Sequence, residues 1–413
     1  MDIKKGEKIM IDIDIALEKV LNRVEINNSI RVPILESIGL IIAEEIYAND
    51  TIPPFDKSAM DGYAVKYRDT IGSTKVDSNL LNLVGEVPAG HPSDYYLKSG
   101  EALKIMTGAP IPKGADAVLR KERAHLKCNQ IEVLAEVSKG KDICPAGEDV
   151  EQGELIFSPG TKITPAVVGM LATLGYDEVT VYRQPEVAIL ATGDELVDIN
   201  DDLKAGKIRN SNTYSIAAQV KTYGSKFKIL GIGRDNLTKL KEKIKLGLES
   251  DILITTGGVS VGEYDLIQDV YQELGIDILF KKVAMKPGKP VTFGVYNDKL
   301  IFGLPGNPAA AMVGFEIFVR PTLLKLIGQQ DLKLKRVTAK LKENVKKKKG
   351  RRHYLRTVLT KTDNEYFVSK AGTQGSGVLH TFANANSLTV IPQNIEYLAK
   401  GSEVEVLTLD NWF

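Results

Sequence analysis

The sequence predicts an α/β multidomain protein: a central three-layer αβα domain with a mostly parallel sheet, an inserted β-rich domain, a helical/mixed linker domain and a C-terminal β domain. Three observations predict it. Residues 185–327 alternate short, isoleucine- and valine-rich runs with helical patterns, the signature of βαβ units. Residues 64–144 instead string β-type runs between Gly/Pro turns. Helical patterns stand on both sides of that β region, so the chain leaves a helical layer and comes back to it. The expected domains are 1–50 plus 145–180, 51–144, 181–327 and 328–413.

Composition sets the frame. A chain of 413 residues fits roughly two to four domains, and 43% hydrophobic with 26% charged residues is ordinary for a soluble globular protein. The net charge of +1 supplies no global attraction to nucleic acid or to an anionic membrane. Cys128 and Cys144 are too few and too far apart for a disulfide framework or a Cys-x-x-Cys metal site, which suits a reducing compartment. Met1-Asp-Ile-Lys has no signal-peptide character and no apolar run is long enough to span a bilayer, so a cytoplasmic location is expected. The four histidines are scattered singly and form no zinc pattern.

Apolar residues at Ile13, Ala16, Leu17, Val20, Leu21 and Val24 have the spacing of one helix face. A second helix is expected after Val32-Pro33, through Leu35 and Ile38 to Ile46. Residues 51–63 then break the pattern with Pro-Pro and Asp-Gly turns and carry Asp56 and Asp61. Short β-type runs follow at Leu80–Val84, Ala102–Met106, Ala117–Leu119 and Ile131–Ala135. Pro145-Ala-Gly-Glu-Asp149 is a turn ending in a carboxylate, and Pro165–Leu174 is helical.

In the βαβ region, strands at Glu186–Ala191, Phe227–Ile232 and Asp251–Thr256 each run into a glycine turn with an acidic residue beside it: Glu195, Asp235 and Asp265. In an open parallel sheet the ligand crevice lies outside the carboxyl ends of the strands, so these three carboxylates are expected to share one cleft. The third turn is the richest, with Gly257, Gly258, Ser260 and Gly262 ahead of a helical pattern through Leu266, Val270 and Leu274. Glycines let the backbone approach a ligand and a helix start favours an anion, although a Gly-Gly turn by itself is more often a tight connection.

Two further turns belong with it. Lys286-Pro-Gly-Lys289 places two ammonium groups around a Pro-Gly turn; alone it would read as a solvated loop, beside the cleft it suits anionic oxygens. Leu304-Pro-Gly-Asn-Pro308 follows a strand at Lys299–Gly303 and opens a helix to Leu326, with Asn307 as N-cap and Pro308 in the first turn, a second helix start open to an anion. Carboxylates, cations and backbone donors together suit a phosphorylated ligand held with a divalent cation such as Mg²⁺. Residues 346–352, Lys-Lys-Lys-Lys-Gly-Arg-Arg, read as a solvated hairpin tip rather than a docking patch.

Ser58-Ala-Met-Asp-Gly-Tyr-Ala64, Met106-Thr-Gly-Ala-Pro110, Thr192-Gly-Asp-Glu-Leu196, Thr255-Thr-Gly-Gly-Val-Ser-Val-Gly262, Lys286-Pro-Gly-Lys-Pro290 and Gly303-Leu-Pro-Gly-Asn-Pro308 together resemble the molybdopterin molybdenumtransferase family, related to the E domain of gephyrin. Gly350-Arg-Arg-His-Tyr-Leu-Arg356, Gln374-Gly-Ser-Gly377 and Ala383-Asn-Ala-Asn386 extend the resemblance to the C-terminal β domain, which it implies is barrel-like. It further implies the last step of molybdenum cofactor synthesis: adenylylated molybdopterin is cleaved with a divalent cation present, AMP leaves, and molybdate delivers molybdenum to the dithiolene sulfurs. Carried onto this chain, the resemblance implies Asp61, Asp149, Glu195, Asp235, Asp265, Lys286 and Lys289 as the catalytic set, with Asp235 and Asp265 holding the cation. Thr256, Gly257, Gly258, Ser260, Gly262, Pro305, Gly306 and Asn307 would bind the pterin.

The family resemblance also implies a homodimer whose linker domain dimerises, with Asp61 of one subunit facing Asp265 of the other. Partners in the same picture are the molybdopterin adenylyltransferase and apo-molybdoenzymes. One departure is visible: many relatives carry an arginine where this chain has Ile143-Cys144-Pro145, so Lys139 or Lys141 would have to substitute. Cys144 has no histidine nearby in sequence and reads as a turn residue. Two rival readings leave parts of the chain unexplained. A molybdopterin adenylyltransferase leaves residues 51–149 and 330–413 unexplained, and a non-catalytic scaffold of the gephyrin type leaves the carboxylates and lysines unexplained.

Overall fold

Alternation inside the βαβ strands dictates the central layer. In the computed structural model, Val187 and Ile189 pack with Ile216 and Val220 of the helix Ser211–Thr222, whereas Ala188 and Leu190 pack with Leu240, Ile244, Ile267 and Val270 of the helices Leu237–Gly247 and Leu266–Glu273. Both faces of the strand are therefore covered, as a parallel sheet requires. Each of the valines, leucines and isoleucines among them contributes roughly 1.5–3 kcal/mol on burial. The structure describes residues 10–234, 236–257 and 266–409.

The sheet order is Lys226–Gly233, Glu186–Thr192, Ile252–Thr256, Lys299–Leu304, Thr292–Tyr296 and Asp277–Phe280. The first four strands are mutually parallel and Thr292–Tyr296 runs against its two neighbours. The chain goes from Glu186–Thr192 to one side and then crosses to the other. The switch point thus falls between Thr192 and Thr256, where an open sheet of this kind binds its ligand.

The chain divides into two compact units, one formed by Met1–Glu44, Pro159–Val168 and Glu178–Phe413, the other by Glu45–Ser158 and Gly169–Asp177. The first unit also holds the C-terminal strands. Arg352–Thr362 pairs with both Glu365–Lys370 and Ser387–Ile391, and Arg336–Leu341 and Glu403–Thr408 close the circuit into a five-stranded barrel. Met285–Lys286 adds to the barrel in parallel beside Arg352–His353. The helix from Pro308 to Leu326 contains a π-helical segment, Phe315–Val319, around the buried Glu316, which accepts hydrogen bonds from Gln219 Nε2 at 2.6 Å and Tyr223 OH at 2.7 Å. Those two residues lie in the Ser211–Thr222 helix and at its C-cap, so the two helices are tied together.

The second unit is built on a six-stranded sheet ordered Ala117–Arg120, Gly62–Val65, Glu101–Ile105, Asn79–Val87, Gln130–Val133 and Ala124–Lys127. Apolar clusters cover its two faces, one around Leu81, Leu119 and Ile131, the other around Leu97, Leu103 and Val118.

Two expectations fail. No helix spans residues 35–46: Ser29–Pro33 is a strand paired with Glu178–Tyr182, residues 34–39 form turns, and Ile41 and Ile42 make bridges to Lys162 and Val181. The three-and-four spacing there is misleading, because Ile41, Ile42 and Ile46 are buried through extended backbone while Leu35 and Ile38 remain 75% and 54% exposed. Gly39, at φ +84°, interrupts any helix between them. The basic run is not a purely solvated tip either. Lys347 folds back so that its Nζ donates to the carbonyls of Arg351 at 3.1 Å and Gln393 at 3.2 Å, where burial lowers its pKa.

Candidate active site

At the switch point the backbone is bare. Gly257 has φ +87°, its N–H donates to the Leu304 carbonyl at 3.2 Å, and a Cβ there would stand 2.3 Å from the Thr192 carbonyl oxygen. Thr192 Oγ1 donates to the Thr256 carbonyl at 3.3 Å and locks the two strand ends together. A Cβ on Gly306 would meet Gly257 Cα at 3.5 Å, so the turns 192–193, 256–257 and 304–306 approach one another closely through main chain. Glu195 folds back over Gly193, its carboxylate 2.5 Å from where a Cβ at 193 would lie.

Thr256, Gly257, Pro305, Gly306, Asn307 and Glu195 accordingly share one edge of the sheet. Asp235, Gly258, Ser260, Gly262 and Asp265 lie outside the described residues. Asn307 occupies the N-cap position of the helix at Pro308 without a side-chain capping bond, and the helix start is not open to an anion as expected. The Ala309 N–H donates to Ser376 and those of Ala310 and Ala311 donate to Asn307, so these donors are already occupied. What the turn presents is its exposed glycine and asparagine.

Lys286 opens onto a different feature. Opposite His353 in the barrel, it lines a cavity of about 470 Å³ together with Lys347, Arg351, His353, Arg356 and Lys370, and none of the described residues lining it is acidic. Burial first, then Lys286, Lys347 and Arg351, push the His353 pKa down to about 4. A pocket lined by cations around a neutral imidazole is suited to a small oxyanion, and of these cations Lys370 is already paired with Glu343 at 2.8 Å. Arg356 is buried and donates to the carbonyls of Thr373 at 3.1 Å and Gly375 at 2.9 Å, while its N–H donates to Gln374 Oε1 at 2.9 Å. It thereby fixes the loop 373–377, whose Ser376 carbonyl receives Ala309 and whose Gly377 approaches Asn307. That loop joins the cationic cavity to the glycine-lined sheet edge. Lys289 is exposed, and its carbonyl accepts from Val283 N at 2.9 Å, closing the Lys286 turn.

Asp61 and Asp149 belong to the second unit. Asp61 Oδ1 accepts from both the backbone N and Oγ1 of Thr107 at 2.8 Å, and Lys121 Nζ stands 3.7 Å from Oδ2. The backbone hydrogen bond first, then the hydroxyl and Lys121, hold this carboxyl below its usual range. Asp149 is exposed on a turn whose N–H donates to the Ile52 carbonyl at 3.0 Å, and Lys57–Ser58 pairs with Ile143–Cys144, so both carboxylates border the segment 52–61. Lys141, a candidate substitute for the missing arginine, instead lies 3.8 Å from Asp142, which Arg120 holds through two bonds of 2.8 Å. The Cys144 thiol donates to Glu148, which raises its pKa and disfavours a nucleophilic thiolate.

Sequence reasoning missed Thr107, Lys121, Arg351, His353 and Arg356. The motifs 106–110 and 350–356 contain four of these residues, but their roles depend on partners outside the motif: Asp61 for Thr107, 46 residues away, Lys286 for His353, and the loop 373–377 for Arg356. Among the described residues no group of three or more His, Cys, Asp or Glu side chains could hold a metal ion. The two carboxylates expected to hold a cation, Asp235 and Asp265, lie outside the described residues.

Residues 11–175 match the MoeA N-terminal region (domain I and II), residues 188–325 a probable molybdopterin binding domain, and residues 338–409 the MoeA C-terminal region (domain IV). The chain is 35% identical over 397 residues to the molybdopterin molybdenumtransferase of Staphylococcus aureus (strain COL), covering 96% of this chain and 95% of that one. The Staphylococcus epidermidis (strain ATCC 12228 / FDA PCI 1200) enzyme of the same name is 35% identical over 403 residues, covering 97% and 96%. The crystal structure of the molybdopterin biosynthesis moea protein from Pyrococcus horikosii superposes with a TM-score of 0.83 at 31% identity, covering 97% of this chain and 99% of that one. The chain belongs to the molybdopterin molybdenumtransferase family.

Proposed function

We propose that the chain inserts molybdenum from molybdate into adenylylated molybdopterin with release of AMP. The observation that carries this reading is the continuity, through loop 373–377, between a cavity lined by cations and a sheet edge of bare glycine backbone. The first suits a small oxyanion such as molybdate, the second a flat, phosphorylated pterin. Lys286 and Arg351 attract the oxyanion and Arg356 positions the loop between the two places. Thr256, Gly257 and Gly306 approach the pterin closely, with Gly258, Ser260, Gly262, Pro305 and Asn307 completing its cradle. Asp61, Asp149, Glu195 and Lys289 complete the polar set, with Thr107 keeping Asp61 anionic.

A divalent cation on Asp235 and Asp265, a homodimer and a cytoplasmic location belong to the same reading. No helix among the described residues is long and apolar enough to cross a membrane. An adenylyltransferase is not favoured, because the matches at 11–175 and 338–409 extend well beyond the molybdopterin-binding portion. The deciding experiment incubates the protein with adenylylated molybdopterin, molybdate and Mg²⁺ and follows AMP by chromatography. AMP release that depends on molybdate supports the reading. Retention of intact adenylylated pterin would favour a scaffold.

A further inference from the structure

Asn210 and Asn212 stand two residues apart at the start of the Ser211–Thr222 helix, and they do different things. Asn210 caps the helix, its side chain accepting from the Thr213 N–H. Asn212 turns to the switch-point edge, where its Nδ2 donates to the Gly306 carbonyl at 2.9 Å. That bond settles the orientation of the carboxamide, since the opposite flip would set two oxygens against each other. Its Oδ1 is then left without a hydrogen-bond partner, although the residue is only 9% exposed. A buried acceptor without a donor is costly, and such a group at a candidate site calls for an explanation.

We infer that Asn212 is a specificity residue whose carboxamide oxygen receives an N–H of the aromatic heterocycle bound at the Gly306 turn. The inference rests on the proposed function and deepens it. A flat ring suits a cleft in which Gly257 and Gly306 bring no side chains, and its edge then lies within reach of the carboxamide beside Gly306. Adenylylated molybdopterin offers such an N–H in two places, the aminopyrimidinone of the pterin and the amine of adenine. Both are the same chemistry toward a carbonyl acceptor.

The test titrates wild type and Asn212→Leu with three probes: molybdopterin, AMP, and IMP, which has a carbonyl in place of the adenine amine. Leucine keeps the size and removes the acceptor, and the exposed Gly306 carbonyl can turn to water. The melting temperature is therefore expected to hold or rise while affinity for one half of the substrate falls about tenfold. A loss confined to molybdopterin assigns the pterin. A loss confined to AMP, with IMP binding both proteins alike, assigns the adenine. Should the leucine variant fail to fold, Asn212→Ser is judged by the same criterion. A folded variant that binds molybdopterin and AMP as tightly as wild type overturns the inference and leaves the proposed function standing. Wild type that binds neither half overturns the proposed function, and the inference with it.

Discussion

Burial and three neighbouring cations keep His353 neutral, and the consequence can be read from acid stability. Its pKa of about 4 in the folded protein lies below the ordinary 6.5 expected of the unfolded chain. Between those values the unfolded chain takes up a proton that the folded protein refuses, so stability is full above pH 6.5 and is lost as the pH falls toward 4. His353→Gln, which cannot titrate, is expected to lose less stability than wild type between pH 7.5 and pH 5, as measured by urea midpoints. Equal losses in the two proteins would mean that the imidazole is not held neutral. Lys286→Ala bears on the same cavity in two ways. Molybdate affinity should fall by about ten- to a hundredfold, the range for one charge-assisted contact. The His353 pKa should also move up toward its ordinary value, since Lys286 is the second cause of its depression. An NMR titration reads that shift without substrate, and an unmoved imidazole would place the Lys286 ammonium outside the cavity. Neither effect was legible in the sequence. Lys286 and His353 are neighbours only because Met285–Lys286 joins the barrel as an added strand. Asp61 was legible as a motif carboxylate, but not the Thr107 pair of hydrogen bonds that holds it anionic.

Secondary elements were readable where one periodicity served one purpose. Strand Ile252–Thr256 was visible because its five residues are all buried between helices, which leaves a short run in which every residue but Leu253 is β-branched. The helix expected over residues 210–223 stands at Ser211–Thr222, with Ile216, Ala217 and Val220 buried at helical spacing and Asn210 as its cap rather than its first residue. Residues 35–46 deceived because their isoleucines satisfy a helical spacing while burying themselves through extended bridges to Lys162 and Val181. Glycines mark a similar divide between what the fold needs and what the ligand needs. Gly257 combines φ +87° with a Cβ position 2.3 Å from a backbone carbonyl, so Gly257→Ala is expected to cost about 2 kcal/mol or more, given about 1–2 kcal/mol for the left-handed backbone alone. Gly306 has no such conformation and its nearest contact would be an ordinary 3.5 Å, so Gly306→Ala should change stability by less than about 1 kcal/mol. If Gly306 lies against the pterin, that same variant should nevertheless bind molybdopterin more weakly. Urea unfolding separates the two glycines, and a Gly257→Ala protein as stable as wild type would contradict the tight turn at the switch point.

At the scale of the whole molecule, the sequence motifs distribute the proposed catalytic set over both compact units. Asp61 and Asp149 lie in the unit built on Glu45–Ser158, whereas Glu195, Lys286 and Lys289 lie in the other. Family resemblance adds a two-fold homodimer, and we propose that Asp61 of one chain works with the partner subunit's Asp265. A two-fold axis would repeat that site at two equivalent places. The arrangement was legible only as a resemblance, because no periodicity or composition within one chain encodes which surface meets a second copy. Complementation tests it. Asp61→Asn and Asp265→Asn chains are each expected to be inactive in AMP release as pure homodimers. When the two are unfolded and refolded together, a mixed dimer holds one site with both substitutions and one with neither, so it regains one working site of two. Statistical mixing of equal amounts makes half of the dimers mixed, which predicts about a quarter of wild-type activity. If both residues instead served the same site from one chain, every site in the mixture would carry a lesion and no activity would return. Mass spectrometry of the intact dimers decides whether mixing occurred, so that silence from confirmed mixed dimers would place the whole site within a single chain.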